Sequence, residues 1–108
     1  MTFREYQGLA RRTQNPKLTP REQLEHALWG LSAEVGEVCG LHQKMHQGHP
    51  LNLVEARKEA GDIIWFLAEL CDVYGWDMGA VAEENIAKLK RRFPDGFSAD
   101  RSLHREEI

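Results

Sequence analysis

Apolar positions recur along this chain with the period of helices almost throughout. From Leu24, the residues Leu28, Leu31, Val35, Val38 and Met45 follow at spacings of three, four and seven, which predicts one long amphipathic helix over about 20–47. Leu53, Ala56, Ala60, Ile63, Ile64, Leu67 and Cys71 predict a second helix over about 53–74, with Gly75 placed to end it. Shorter periodic runs predict helices over about 3–13 and 78–92, the latter stopping before Pro94. From Asp95 onward the chain is polar, and one short helical turn with a frayed end is expected there.

Start signals agree with this division. Thr2/Glu5, Thr19/Glu22 and Asn52/Glu55 each set a capping side chain three residues before a Glu, the spacing at which two free N–H groups of a helix start are satisfied reciprocally. Pro20 falls at a first helical position, where its missing N–H costs nothing, and Pro16 closes the preceding segment. Gly48-His49-Pro50 interrupts the long helix. The two long helices should therefore form an antiparallel pair joined by a short turn.

The stretch Ile63-Ile64-Trp65-Phe66-Leu67-Ala68 is apolar on all sides, so packing against one neighbour leaves part of it uncovered. In a chain of 108 residues the cheapest cover is a second copy, and a homodimer or homotetramer is expected. Leu (12) and Ala (10) lead the apolar residues while Val, Ile and Thr together supply 12 positions, which disfavours a sandwich or barrel. The expected fold is all-α, a four-helix bundle over residues 1–97 assembled as a dimer or tetramer, with a polar tail at 98–108.

Charge narrows the partners. Fourteen Lys and Arg against 17 Asp and Glu leave a net charge of −3, so there is no global field for nucleic acid or an anionic membrane. No apolar run approaches a membrane span and the first residues carry no apolar export segment, which makes the cytoplasm the expected compartment. Cys39 and Cys71 lie in apolar helical runs and read as reduced core thiols.

Glu34-Val35-Gly36-Glu37 and Glu59-Ala60-Gly61-Asp62 are two copies of acid, small apolar, Gly, acid. Acids three apart on a helix project together, so each tetrapeptide presents two carboxylates. Counted from a turn midpoint near position 49.5, Glu37 and Asp62 share one height, with Glu34 and Glu59 each about 4.5 Å away along the axes in opposite directions. Four converging carboxylates repel one another unless a cation is present. An all-oxygen donor set suits a hard divalent ion, Mg²⁺ in particular, with Mn²⁺ as the alternative. Gly36 and Gly61, unfavourable inside helices, suggest close backbone approach at these positions. A di-iron bundle would need Glu-x-x-His, and none of the five histidines has a Glu three residues before it. The competing reading of either acidic motif is a solvated helix face.

Asn85 sits in the centre of an apolar stripe formed by Met78, Val81, Ala82 and Leu89, with Lys88 and Arg92 along its edge. These three side chains read either as a satisfied core amide beside solvated cations near a helix C-terminus, or as groups that hold substrate phosphates beside the metal. His42, His46 and His49 share a helix end but lack the Glu of a zincin motif, and read as surface residues. Neither glycine-rich nucleotide loop is present, so phosphate recognition must come through metal and cations. Tyr6, Gln23 and Trp29 could contact a base, although such residues at helical spacing more often belong to a core.

These motifs resemble the MazG-like, all-α nucleoside triphosphate pyrophosphohydrolases. That family's Glu-x-x-Glu and Glu-x-x-Asp are matched by Glu34 to Glu37 and Glu59 to Asp62, separated by 21 residues. The flanks from Leu28 and on to Leu67 are similar, and Asn85-Ile-Ala-Lys88-Leu-Lys-Arg-Arg92-Phe-Pro94 looks like the family's Asn-x-x-Lys-Leu-x-x-Arg-Tyr/Phe-Pro segment. The resemblance covers about residues 20–97. It implies Mg²⁺-dependent hydrolysis of an NTP or dNTP to the monophosphate and pyrophosphate, with Glu34, Glu37, Glu59 and Asp62 as metal-binding and catalytic positions. It further implies that Asn85, Lys88 and Arg92 approach the substrate, and that short helical chains assemble as dimers or tetramers. The rival readings are a non-catalytic nucleotide-binding or helical interaction protein of the same fold and, against the acidic pI, a nucleic-acid-associated helical module.

Overall fold

Cap residues set where each helix begins. In the structure, a computed structural model that describes residues 1–104, α1 (Phe3–Arg11) starts behind Thr2 and α2 (Pro20–Gln43) behind Thr19. In both, the Thr hydroxyl accepts the N–H of a Glu whose carboxylate returns to the N–H of the Thr. Asn52 caps α3 (Leu53–Tyr74) by accepting the Glu55 N–H at 3.0 Å, but no bond returns from the Glu55 carboxylate. The third capping box is therefore half made. Asp77 caps α4 (Met78–Arg92), and Ser98 caps the short α5 (Ala99–Leu103).

The long second helix ends earlier than its periodicity predicts. Residues Lys44–Gln47 tighten into a 3₁₀ turn that closes on Gly48 at φ 92°, a backbone conformation that Gly adopts without strain. Gly75, at φ 70°, ends α3 as expected. The helical turn expected in the tail is α5, and the expected fraying of the chain end concerns residues 105–108, outside the described residues.

The α2–α3 hairpin is the main packing unit, α1 lies on α3, and α4 lies on α1. Asp72 fastens α1 in place, because its carboxylate accepts Gln7 Nε2 at 2.8 Å, Arg11 at 2.7 Å and Gln14 Nε2 at 2.7 Å. Gln7, almost fully buried, also donates to the Trp76 carbonyl and accepts the Met78 N–H, both at 2.8 Å. A polar network thus joins α1 to the α3–α4 corner with every group of the buried amide partnered.

The apolar core is small. Ala10, Ala68, Cys71 and Met78 form it, with Tyr6 and Trp65 packed alongside. Leu28, Trp29 and Val35 on α2, Ile64 and Leu67 on α3, and Val81, Ile86 and Leu89 on α4 remain exposed. The radius of gyration is 17.2 Å, against about 13 Å for a compact domain of this length. α4 packs chiefly on α1, with Met78 at its start seated among Ala68 and Cys71 of α3. One expectation changes. Cys71 is a buried thiol, but Cys39 is exposed and is no core residue of the chain. No described helix is long and apolar enough to cross a membrane.

Candidate carboxylate site

Contacts between α2 and α3 define the register that builds the site. His26 Nδ1 lies 2.7 Å from Glu69 Oε1, and a Cβ on Gly30 would fall 2.1 Å from the Phe66 ring. One turn further along, oxygens of Glu34, Glu59 and Asp62 all lie within 4.8 Å of one another. The first two pairs and Glu34–Asp62 centre on position 48 or half a residue below it, not on the expected 49.5. The shift has a physical source in the turn. Residues 49–52, outside any helix, cover more length per residue than α-helix on the α3 side of the turn, so counting residues evenly places the midpoint too late.

The carboxylates consequently divide around Glu59 instead of pairing at one height. Glu34 and Asp62 meet it on one side. Glu37, outside that tight group, lines with Glu59 a neighbouring cavity of about 330 Å³ that also includes Gly40, Leu41, Lys44 and Glu55. Glu59 is buried at 8% exposure, Glu34 is half-buried and Asp62 exposed. The nearby Glu34 carboxyl, burial, and the carboxyls of Glu37 and Glu55 raise the Glu59 pKa from 4.5 to about 8. Glu34 Oε2 and Glu59 Oε2 are enclosed and have no hydrogen-bond partner. Ionised carboxylates can only accept, so once Glu59 loses its proton no member of the cluster can satisfy another. Orphaned hard oxygens around a gap fit a divalent cation, and Glu34, Glu59 and Asp62 could hold it with Glu37 adjacent.

Other expected residues fall elsewhere. A Cβ on Gly36 or Gly61 would meet nothing within 4 Å, so the expected close approach at these glycines is absent. It occurs at Gly30. Asn85 is exposed and has no core partner, while Lys88 and Arg92 are half-buried on α4, which packs chiefly on α1. Among the described residues no ion pair joins Lys88 or Arg92 to the carboxylates. Arg92 Nε is enclosed without a partner. The histidines 42, 46 and 49 are exposed and belong to no metal-capable group among the described residues. Trp29 is 68% exposed, Gln23 donates to Gln14, and the Tyr6 hydroxyl is raised in pKa by burial and by Asp62.

Two features of the hairpin belong to neither acidic motif of the sequence. Glu69 is fully buried against His26, with Trp65 and Phe66 around the imidazole. Glu55 joins the carboxylate cluster, and its position four residues before Glu59 is the signal that could have placed it on the same face.

A helical hairpin whose facing surfaces carry convergent, unpartnered carboxylates defines an all-α protein with a cation-competent acidic centre. Residues 22–97 match the MazG nucleotide pyrophosphohydrolase domain, most of the chain, and the protein belongs to that family. No curated protein and no solved structure matches the chain.

Proposed function

We propose that this protein is a Mg²⁺-dependent nucleoside triphosphate pyrophosphohydrolase that cleaves an NTP or dNTP to the monophosphate and pyrophosphate. The observation that carries the reading is the Glu34–Glu59–Asp62 cluster, with enclosed oxygens lacking any donor, inside the stretch matched by the family. Glu34, Glu59 and Asp62, with Glu37, would hold the ion, and Mn²⁺ suits the same donors. Once bound, it supplies Lewis-acid polarisation of phosphate oxygens and acidifies water. Asp62, the exposed member of the cluster, meets solvent and as a carboxylate can take the proton of an attacking water. A new bond forms between that water's oxygen and the α phosphorus, and the bond from the α phosphorus to the bridging oxygen breaks, releasing pyrophosphate.

Two parts of the site lie beyond one protomer. The exposed apolar residues of α2, α3 and α4 support a homodimer or homotetramer, because a core this small does not stabilise a chain of this length. In such an assembly Asn85, Lys88 and Arg92 approach the carboxylates of a second copy and neutralise substrate phosphates. The cytoplasm, where nucleotides and Mg²⁺ are abundant, is the compartment we assign.

Incubation with a panel of canonical and modified NTPs and dNTPs plus Mg²⁺ tests the reading. Equimolar monophosphate and pyrophosphate are expected. Release of orthophosphate instead, or no turnover of any member, overturns it; nucleotide binding without turnover would favour the non-catalytic alternative.

A further inference from the structure

Among the three helix starts that share the capping-box spacing, two close and one does not. Glu5 and Glu22 return to the cap N–H at 3.2 and 3.0 Å, whereas Glu55 makes no such bond. Its side chain lines instead the cavity that Glu59, four residues on, also lines. The choice is against the local electrostatics. At the start of a helix, a Glu gains from the free N–H groups and from the positive end of the helix dipole, while crowding another carboxylate is unfavourable.

We propose that Glu55 is a fifth carboxylate ligand of the divalent-cation site, an inference that rests on the metal-dependent reading above. A second observation points to the ligand: Glu59 is more than nine-tenths buried, its Oε2 has no partner, and it lines the same cavity as Glu37 and Glu55. At about 330 Å³ that cavity has room for an ion with its waters, since one water occupies about 30 Å³ of liquid. Lys44 also lines the cavity but takes part in none of the ion pairs found among the described residues, so no direct partner of the carboxylates is found there. A hard divalent cation gathers six or so oxygens and carries twice the charge of one ammonium, which has three donors. Glu59 then stands between two sets of donors, Glu34 and Asp62 on one side and Glu37 and Glu55 on the other.

The test is Mn²⁺ binding to the metal-free full chain, read from the free-ion electron paramagnetic resonance signal, together with thermal melting by circular dichroism without metal. Glu55→Gln should weaken Mn²⁺ binding by about tenfold or more without lowering the metal-free melting temperature, because no cap bond is lost. Glu22→Ala, which opens a closed box, should do the reverse, melting earlier and binding Mn²⁺ as the wild type does. If Glu34→Gln loses binding and Glu55→Gln keeps it, this proposal is overturned and the hydrolase reading stands. A Glu55→Gln chain that melts earlier but binds Mn²⁺ normally shows a purely structural residue and also overturns it. A wild-type chain that binds no Mn²⁺ overturns both.

Discussion

Phe66 occupies the space that any side chain at position 30 would need: a Cβ there would fall 2.1, 2.4 and 2.6 Å from three atoms of the ring. The contact lies one turn from Glu34 on α2 and one turn from Asp62 on α3, so it sets the helix separation next to the carboxylates. Gly30→Ala should destabilise the chain by about 1–3 kcal/mol through overpacking, measured by urea unfolding. Trimming the ring in the double variant Gly30→Ala/Phe66→Leu should recover part of that loss. An unchanged midpoint in Gly30→Ala would show that the helices separate freely.

Glu59 makes metal-free stability depend on pH. Its folded pKa is raised from 4.5 to about 8, chiefly by Glu34 and burial, so folding favours the protonated form. That contribution is complete below about 4.5, declines as pH rises, and is gone above about 8. Wild type and Glu59→Gln should therefore have similar melting temperatures near the acid end of this window, and the wild type should fall behind as pH rises. Adding Mg²⁺ should stabilise the wild type more at the alkaline end. Parallel melting curves for the two proteins across the range would contradict the assignment.

Removing a carboxylate while keeping its shape separates chemistry from folding. Glu37→Gln and Asp62→Asn should each lower pyrophosphate release by about a hundredfold or more, with the helical circular dichroism spectrum retained. Undiminished turnover in either variant refutes its role.

If α4 serves the site of a second copy, two inactive variants should rescue each other. Asp62→Asn loses the acidic half and Arg92→Ala the cationic half, so refolding them together should restore activity that neither has alone. Failure to recover activity in verified mixed oligomers would place both halves in one protomer. Sedimentation at micromolar concentration should also show a dimer or tetramer, and a stable monomer would rule out a shared site.

The helices themselves were legible because their signals are local. Apolar period, Thr19 with Pro20, Asn52 and Gly75 set most boundaries of α2 and α3 without reference to anything distant. The acidic tetrapeptides were legible for the same reason, since residues three apart on one helix must lie together. Register was not local: the irregular residues 49–52 displaced the pairing from the position that even counting predicts, leaving Glu37 outside the Glu34–Glu59–Asp62 group.

The sequence alone determined an all-helical chain, two acidic helix segments and an apolar surplus on α3, each the product of spacing within one element. Only the tertiary structure decided that Gly30 and not Gly36 or Gly61 is the point of close approach, that Glu55 lines a cavity with Glu59 and leaves its cap open, and that α4 packs chiefly on α1. Those outcomes depend on which side chains meet across helices, and that is settled by packing and charge between segments distant in the chain.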